Sequence, residues 1–275
     1  MNRVAIVILN YMSWKDTLEE AKVCHEILNI PYKDIIIIDN NSPNESYAEL
    51  ELSQKIKGFI LIRSSRNDGY AAGNNIGLRY AYENGYNYAF IMNNDVLIDD
   101  RKMVDKLIDT FEKDSSLGVV NPDIYGVDGK LYNRDAKKPS FLDLTVLANS
   151  YRKKGRKVKD LGGYAYVYRP QGCCMMVDLE KMQEINYMDE NTFLYCEEII
   201  LAERLDKKNY KCACCLTTKA IHNHSKTVRS VMDKNKITKM NNNSFRYYLK
   251  EYRGFNSVNS NICLFFNWIK WTLLG

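Results

Sequence analysis

Phe90-Ile91-Met92-Asn93-Asn94-Asp95 is the stretch around which this sequence is organised. Its apolar part, which begins at Ala89, predicts a buried strand that stops abruptly at two amides and one carboxylate. An open α/β sheet presents its binding site in this way, with polar groups at the carboxyl ends of buried strands. Asp95 is a hard oxygen ligand of the kind that holds Mg²⁺ or Mn²⁺ together with substrate phosphates. A plain polar turn explains the short motif equally well, so the other motifs must distinguish the two.

The composition of the chain favours an ordinary globular protein. Its 275 residues, 45% hydrophobic and 27% charged, are enough for one large domain or for one domain with a C-terminal extension. The net charge of +5 suits an anionic partner such as a nucleotide, or loose attachment to anionic lipid. It is too small to predict a nucleic-acid binder.

The first strand and the cysteines indicate a reducing compartment. Residues 4–9 are apolar but lack the basic region and the cleavage site of a signal peptide, so we interpret them as a strand. Without an export signal, the eight cysteines are expected to be reduced thiols in a cytoplasmic protein. Cys212-x-Cys214-Cys215 fits a metal site only with a second pair, and none lies at zinc-like spacing. A strand of buried thiols is the favoured interpretation.

Strand and helix patterns alternate through the first half of the chain. This alternation predicts a mostly parallel sheet with helices on both faces. The predicted strands are 4–9, 34–38, 59–62, 88–92 and 118–120, and the predicted helices are 14–28, 46–56, 71–83 and 101–111.

Polar clusters follow four of these strands at their carboxyl ends. They are Asn10-Tyr11, Asp39-Asn40-Asn41-Ser42, the stretch 67–75 and Asn93-Asn94-Asp95. Because the carboxyl ends of parallel strands meet at one edge of a sheet, these clusters predict a pocket. Asp39 is placed to accept hydrogen bonds from a base or a ribose. Gly69 and Gly73 permit close approach of the backbone to a ligand near a helix N-terminus, although a tight loop explains them as well.

These motifs, in this order, resemble the nucleotide-sugar half of family 2 glycosyltransferases, in particular the rhamnosyltransferase-like branch. The resemblance extends over residues 3–228. It implies the GT-A fold, an α/β domain that binds a nucleotide-sugar and usually a divalent metal ion, Mn²⁺ or Mg²⁺. The segments that carry it are Ile8-Leu9-Asn10-Tyr11, Ile37-Ile38-Asp39-Asn40-Asn41-Ser42, Asn67-x-Gly69-Tyr70-Ala71-x-Gly73-Asn74-Asn75 and Asn93-Asn94-Asp95.

The resemblance also implies roles for individual residues. Asp95 would hold the metal ion and the diphosphate at the end of the family's aspartate-x-aspartate motif, whose first acid is replaced here by Asn93. Asp39 would contact the base. The donor pocket as a whole would be formed by Asn10, Tyr11, Asp39, Asn41, Asn67, Gly69, Tyr70, Gly73, Asn74 and Asn94.

Glu197 and Glu198 stand at the predicted start of a helix. Acids at this position stabilise the helix dipole, and for the isolated pair that is the favoured interpretation. The family pattern Phe-Leu-Tyr-x-Glu-Asp has its catalytic base at the second acid. The resemblance therefore implies that Glu198 deprotonates the acceptor hydroxyl and that Glu197 supports it. A further aspartate of the related branch is replaced here by Ile200, which leaves the acceptor contacts open.

His222 and His224 follow a strand predicted at 211–216. A lone histidine is more often structural than a ligand, but His-x-His after a strand is a stronger signal. By resemblance, one of the two reaches the metal ion or the diphosphate, with a slight preference for His222.

The C-terminal segment is aromatic and apolar. Residues 262–274 are shorter than a membrane-spanning helix, and Lys270 and two tryptophans in this segment suit an interfacial helix on the inner membrane leaflet. We expect such a peripheral contact through 261–275. Packing of the helix on the domain, or on the partner of a homodimer, is an equal alternative.

The sequence as a whole predicts a GT-A glycosyltransferase domain, 1–230, with a nucleotide-sugar half (1–121) and an acceptor half (122–230), followed by a helical appendage, 231–275. We expect an inverting, non-processive enzyme that uses dTDP-rhamnose or a UDP-sugar and acts on a lipid-linked bacterial surface glycan. The alternative is a non-catalytic member that binds a nucleotide-sugar or a partner glycosyltransferase. A sugar nucleotidyltransferase is disfavoured, because no glycine-rich phosphate loop follows the first strand.

Overall fold

The first half of the chain forms four parallel strands covered by helices. A computed structural model describes residues 2–147, 157–223 and 234–273. β1 pairs in parallel with β2 and β4, and β2 pairs in parallel with β3. The elements are β1 Val4–Asn10, α1 Trp14–Glu26, β2 Ile35–Asp39, α2 Ser46–Lys57, β3 Ile60–Arg63, α3 Tyr70–Glu83, β4 Tyr88–Met92, β5 Val96–Leu97 and α4 Met103–Lys113.

The second half extends this sheet with antiparallel pairs. β8 is antiparallel to both β4 and β6, and within the described ranges nine strands form one sheet in the order β3-β2-β1-β4-β8-β6-β9-β5, with β7 paired to β9. The elements are β6 Leu117–Gly126, α5 Phe141–Leu144, β7 Tyr164–Val167, β8 Cys174–Asp178, α6 Leu179–Glu184, α7 Glu197–Asp206, β9 Lys211–His222, α8 Lys234–Tyr247, a π-helical turn Tyr248–Tyr252 and α9 Ser257–Leu273.

Burial on both faces explains why the central strands are apolar throughout. The side chains of Ile35 to Ile38 on β2 are fully buried and alternate between two core clusters, one on each face of the sheet. The register aligns Ile8 with Met92 and Asn10 with Asp39. The polar residues that follow these strands therefore meet at one edge, and the α/β prediction is confirmed.

Two strands are longer than predicted. β6 continues past residue 120 to Gly126, and β9 continues past residue 216 to His222. β6 contains Pro122, which normally argues against a central strand. Here the register with β9 shifts between Pro122 and Asp123, where residues 216–218 of β9 are passed over, so the pairing is interrupted at the proline and then resumes. The thiols of Cys212, Cys214 and Cys215 are free and buried on β9, as the sequence predicted.

The C-terminal helices pack on α7. A small apolar cluster joins Ile200 of α7 to Tyr248, Leu249 and Cys263, so one of the two alternatives for the tail, packing on the domain, is observed. Among the described helices, none is both long enough and apolar enough to cross a bilayer. The domain boundary at 230, the cytoplasmic location, the membrane contact and the homodimer stay predictions.

Candidate active site

A chain of side-chain hydrogen bonds joins the carboxyl ends of β1, β2 and β4. Asn10 Nδ2 donates to Asp39 Oδ1 at 2.8 Å, and Thr17 Oγ1 donates to Asn10 Oδ1 at 2.9 Å. Asn94 Nδ2 donates to Thr17 Oγ1 at 2.9 Å and to Ser13 Oγ at 2.8 Å. We call Asn10, Ser13, Thr17, Asp39 and Asn94 the strand-end network. Three of its members, Asn10, Asp39 and Asn94, were predicted from the sequence as residues of the donor pocket.

Asp39 is the acid of the strand-end network. Its side chain is inaccessible to solvent, and Oδ2 accepts a hydrogen bond from the Ser42 N–H at 3.0 Å. The Arg63 guanidinium lies 3.9 Å away. A buried carboxylate is stable only with such partners, because burial alone strongly disfavours the charge.

The loop after β3 is held by amide side chains. Asn40 Nδ2 donates to Asn67 Oδ1 at 3.0 Å and to the Gly69 carbonyl at 3.1 Å. Asn41 adopts a left-handed conformation with φ 56°, and its N–H donates to the Asp39 carbonyl. Tyr11 is half-buried beyond the end of β1. These predicted residues therefore lie around the strand-end network.

Gly69 and Gly73 lie against other parts of the protein. A Cβ on Gly69, at φ 97°, would lie 2.0 Å from the Phe193 carbonyl oxygen, and one on Gly73 would lie 2.5 Å from Leu9 Cδ1. Packing thus accounts for both glycines, and their contact with a ligand stays a prediction. The predicted Asn74 is fully buried, and its Nδ2 donates to the Tyr70 carbonyl at 3.0 Å.

Asp95 and His222 form a pair beside β4. His222 Nε2 lies 3.0 Å from Asp95 Oδ1, since β5 and β9 pair Val96 with His222. The second candidate histidine, His224, lies outside the described residues. Asp95 side-chain exposure is 18%, so a ligand can reach the carboxylate.

This pair offers a carboxylate oxygen, which suits Mg²⁺ or Mn²⁺, and an imidazole nitrogen, which suits a transition-metal ion better than Mg²⁺. In the structure, Asp95 Oδ1 and His222 Nε2 lie within hydrogen-bonding distance of each other. Within the described ranges, no three His, Cys, Asp or Glu side chains converge as a metal site. An ion at this pair would therefore depend on substrate oxygens for its remaining ligands, as Mg²⁺ commonly does.

The two acids of α7 differ in their environments. Glu197 is buried, and burial, followed by the nearby Glu198 carboxylate, raises the pKa of Glu197 well above its ordinary value. Glu198 is only partly buried, and its Oε1 accepts a hydrogen bond from the Gly172 N–H at 3.3 Å. Glu197 therefore tends to hold its proton, which gives Glu198 a neutral neighbour.

The backbone that enters α7 is strained. Tyr195 and Cys196 both adopt left-handed conformations, with φ 72° and 66°, and Cys196 is the residue that precedes the helix. Each such residue costs about 1 to 3 kcal/mol, and strain of this kind concentrates at functional sites. It fixes the direction in which Glu197 and Glu198 leave the loop.

Tyr70 connects the start of α3 to the start of α7. Its hydroxyl donates to the Gly172 carbonyl at 2.7 Å, while the N–H of the same glycine donates to Glu198. Burial, together with Glu197 and Glu198, raises the pKa of Tyr70, so the hydroxyl keeps its proton and remains a donor.

A cavity of about 670 Å³ lies where these elements meet. Glu198, Gly172 and His222 all line it, so the candidate base and the histidine of the Asp95–His222 pair face a common space. The C-terminal helices line it as well. Their contribution is Asn241, Phe245, Phe266, Asn267 and Ile269.

The family of the chain follows from a match to a family profile. The profile described as glycosyl transferase family 2 covers residues 5–178. The chain belongs to this family. It is therefore a glycosyltransferase, and its sheet and helices are those of the GT-A fold.

Proteins similar to this glycosyltransferase have been solved with different nucleotide-sugars. The low-salt glycan biosynthesis hexosyltransferase Agl10 of Haloferax volcanii is 25% identical over 224 residues, which cover 81% of this chain and 68% of the relative. The mannosyltransferase PcManGT of Pyrobaculum calidifontis, solved with GDP-Man and Mn²⁺, matches with a TM-score of 0.64 at 12% identity, over 98% of this chain and 70% of the other. TarS 1-349 of S. aureus, solved with UDP-GlcNAc, matches with a TM-score of 0.58 at 10% identity, over 98% and 73%.

Several residues around this site were missed in the sequence. Thr17 and Ser13 complete the strand-end network, and Gly172 contacts both Tyr70 and Glu198. Thr17 is the fourth residue of α1, so it lies in the first turn of the helix that follows β1, and this position was a usable signal. Nothing in the sequence indicates the contact of Gly172 with Tyr70, since 102 residues separate them.

Proposed function

We propose that this glycosyltransferase inverts the anomeric centre of a nucleoside-diphosphate sugar in a single displacement onto an acceptor hydroxyl. The observation that carries the proposal is the common cavity, because the Glu198 carboxylate and His222, the partner of Asp95, line the same space. A single displacement needs a base on one side of the anomeric carbon and stabilisation of the leaving group on the other.

Glu198 acts as the base in this proposal. Its carboxylate takes the proton of the acceptor hydroxyl while the hydroxyl oxygen forms a bond to the anomeric carbon. The bond from that carbon to the diphosphate breaks on the opposite face, and the nucleoside diphosphate leaves with the electron pair. The Gly172 N–H holds Glu198 Oε1, and the protonated Glu197 avoids a second charge beside it.

The strand-end network binds the nucleotide in this proposal. Both oxygens of Asp39 already accept hydrogen bonds, and each carboxylate oxygen has a second lone pair. A base N–H can use that capacity once ligand binding makes the buried carboxylate accessible. dTDP-rhamnose and a UDP-sugar remain the proposed donors.

Asp95 and His222 would hold a divalent ion, Mn²⁺ or Mg²⁺, with His224 as a further candidate. The bound ion would supply positive charge to the departing diphosphate. Support comes from the donor chemistry of a carboxylate beside an imidazole and from the Mn²⁺ in the PcManGT complex.

A growing, lipid-linked surface glycan is the proposed acceptor, with one sugar added per encounter. The name of the Haloferax relative, a glycan biosynthesis hexosyltransferase, supports a glycan acceptor. The cavity supports it too, because amide and aromatic side chains such as Asn267 and Phe266 suit the hydroxyls and apolar faces of a sugar.

The decisive experiment combines nucleotide binding with turnover in Glu198→Gln. A ligand that binds the folded state raises its melting temperature, so UDP, dTDP, GDP and CMP are screened with and without Mn²⁺. Glu198→Gln should keep the shift of the wild type and lower the rate of nucleoside-diphosphate release from the matching nucleotide-sugar about 10²- to 10⁴-fold. Glu180→Gln, an exposed acid in the first turn of α6, is the matched control.

Three outcomes contradict the proposal. If no nucleotide raises the melting temperature, with or without Mn²⁺, the proposed donor site is excluded. If Glu198→Gln keeps both the melting shift and the turnover of the wild type, Glu198 is excluded as the base. If the wild type shows no turnover, the alternative is favoured, a non-catalytic family member that binds a nucleotide-sugar.

A further inference from the structure

The C-terminal helices carry a row of cations on their outer side. Lys239, Arg246 and Lys250 are exposed and follow one another at seven and four positions, which places them on one face of α8 and the π-helical turn. Glu251 is the single acidic residue in the sequence from 234 to 273. The outer face is therefore strongly cationic.

α9 is apolar on its outer face as well as on its inner face. Cys263 and Leu264 are buried against the domain, whereas Val258, Phe265 and Trp268 are exposed by 66%, 57% and 49%. Ile262, exposed by 38%, lies between them. A helix of a water-soluble surface normally has a polar outer face, so an apolar row of this length indicates a contact with an apolar phase.

The cationic row and the apolar row lie side by side. Arg246 Nη1 donates to Asn261 Oδ1 at 3.2 Å between two exposed residues. Asn267 Nδ2 donates to Asn241 Oδ1 at 2.9 Å, which fixes the two helices antiparallel. The two rows thus form one continuous surface, which we call the docking surface: Lys239, Arg246, Lys250, Val258, Ile262, Phe265 and Trp268.

We propose that the docking surface binds an anionic lipid bilayer and that α9 lies in the bilayer interface. Phe265 and Trp268 would enter the apolar boundary while the neighbouring cations contact lipid phosphates. A second copy of the chain is a poorer occupant, because a symmetric contact would bring two cationic rows together.

The proposed position of α9 in the bilayer interface explains why the C-terminal helices also line the cavity. Phe266 and Ile269 line it, while their neighbours Phe265 and Trp268 point outward. A saccharide attached to a lipid would then reach Glu198 without leaving the membrane surface. This inference rests on the proposed transfer to a lipid-linked glycan, which it deepens.

Vesicle flotation tests the inference directly. The full chain is mixed with vesicles of phosphatidylcholine alone, or of equal parts phosphatidylcholine and phosphatidylglycerol, at low and at high salt. We expect binding to the anionic vesicles that weakens with salt, and little binding to phosphatidylcholine.

Two pairs of variants separate the apolar and the charged parts. Phe265→Ser with Trp268→Ser should weaken binding to anionic vesicles at least about tenfold. Lys239→Glu with Lys250→Glu should weaken it about tenfold or more and remove most of the salt dependence. The matched controls are Leu52→Ser with Ile56→Ser, and Lys22→Glu with Lys55→Glu, which alter exposed residues of α1 and α2. They should bind like the wild type.

Three outcomes would overturn the inference: equal binding to both kinds of vesicle, unchanged binding of the docking-surface variants, or a dimer in solution that Phe265→Ser with Trp268→Ser dissociates. The nucleotide-induced melting shift, measured on the same samples, is independent of the docking surface. A shift without lipid binding rejects the docking surface and leaves the proposed function standing. Lipid binding without a shift rejects the donor site alone.

Discussion

The strand-end network and the surroundings of α7 are held together by different means. In the network, backbone pairing of β1 with β2 and β4 places Asn10 beside Asp39, and the side chains only complete what the register has aligned. Around α7, side chains from irregular segments converge on two buried acids. The first kind of site is rigid because the sheet is rigid, and the second depends on a few polar contacts.

Glu203 and Asp189 are the two acids, which we call the carboxylate anchors. Glu203 accepts hydrogen bonds from Lys138 and from the hydroxyls of Tyr168 and Tyr248. Burial raises the pKa of Tyr168, so that hydroxyl stays protonated and needs an acceptor.

Asp189 anchors the same C-terminal segment from the other side. It accepts hydrogen bonds from the hydroxyls of Tyr247 and Tyr252, and Arg204 lies 3.7 Å away. Burial alone would raise the pKa of Asp189, but the bond from Tyr252 and those from Asn191 outweigh it and lower the pKa. The C-terminal helices, and with them one wall of the cavity, are thus attached to α7 and to the segment before it by two carboxylates, in addition to the apolar cluster around Ile200.

The largest effect is expected when an anchor is removed. Glu203→Ala leaves Lys138, Arg253 and the hydroxyls of Tyr168 and Tyr248 without their acceptor, which should lower the free energy of unfolding by about 3 to 5 kcal/mol. Chemical denaturation measures this loss, and limited proteolysis should show cleavage first within residues 234–273.

Glu51→Ala is the control for this change, since Glu51 is an exposed acid paired with Lys55 on α2. A loss no larger than that of the control, or uniform cleavage over the whole chain, would contradict the role of Glu203 as an anchor.

The same contrast explains what the sequence could predict. β4 was predicted at 88–92 and is observed at Tyr88–Met92, and α7 starts at Glu197 as expected. Apolar runs, helix starts and polar strand ends are local signals, and the parallel sheet of the first half follows from them. The residues of the strand-end network were therefore recognisable, apart from Ser13 and Thr17 on the neighbouring turn and helix.

The second half could not be predicted in this way. Pro122 and its polar neighbours interrupt the apolar pattern of β6 at the register shift, and the antiparallel position of β8 between β4 and β6 depends on pairing between distant segments. Glu203 and Asp189 look like ordinary surface acids in the sequence. Their burial follows only from the packing of the π-helical turn against α7.

A smaller effect is expected for Asp39→Asn in the strand-end network. The amide keeps the shape of the carboxylate but replaces one acceptor oxygen with a donor, whereas Asn10 Nδ2 and the Ser42 N–H both require acceptors. One buried donor remains unsatisfied, which should cost about 1 to 3 kcal/mol. Since the network belongs to the central sheet, denaturation should stay a single transition.

Asp68→Asn, which alters an exposed acid paired with Arg66, should leave stability unchanged. Early proteolysis of residues 234–273 in Asp39→Asn, as expected for Glu203→Ala, would show that the two regions do not differ in the proposed way.

The smallest effect on stability is expected for Glu197→Gln. Unlike the two earlier variants, it should raise the free energy of unfolding. The folded chain holds the Glu197 proton to a higher pH than the unfolded chain does, because burial, followed by Glu198, raises its pKa. This contribution to stability is complete below the ordinary pKa of a glutamate and is lost as the pH rises towards the raised value.

Glutamine imitates the protonated acid and does not titrate. Wild type and variant should therefore be equally stable near pH 4, and the variant should be more stable at pH 8. Thermal denaturation between these pH values measures the difference, with Glu180→Gln as the exposed control. A variant that is less stable than the wild type at pH 8 would show that Glu197 is ionised in the folded chain and would contradict its assignment as the protonated acid.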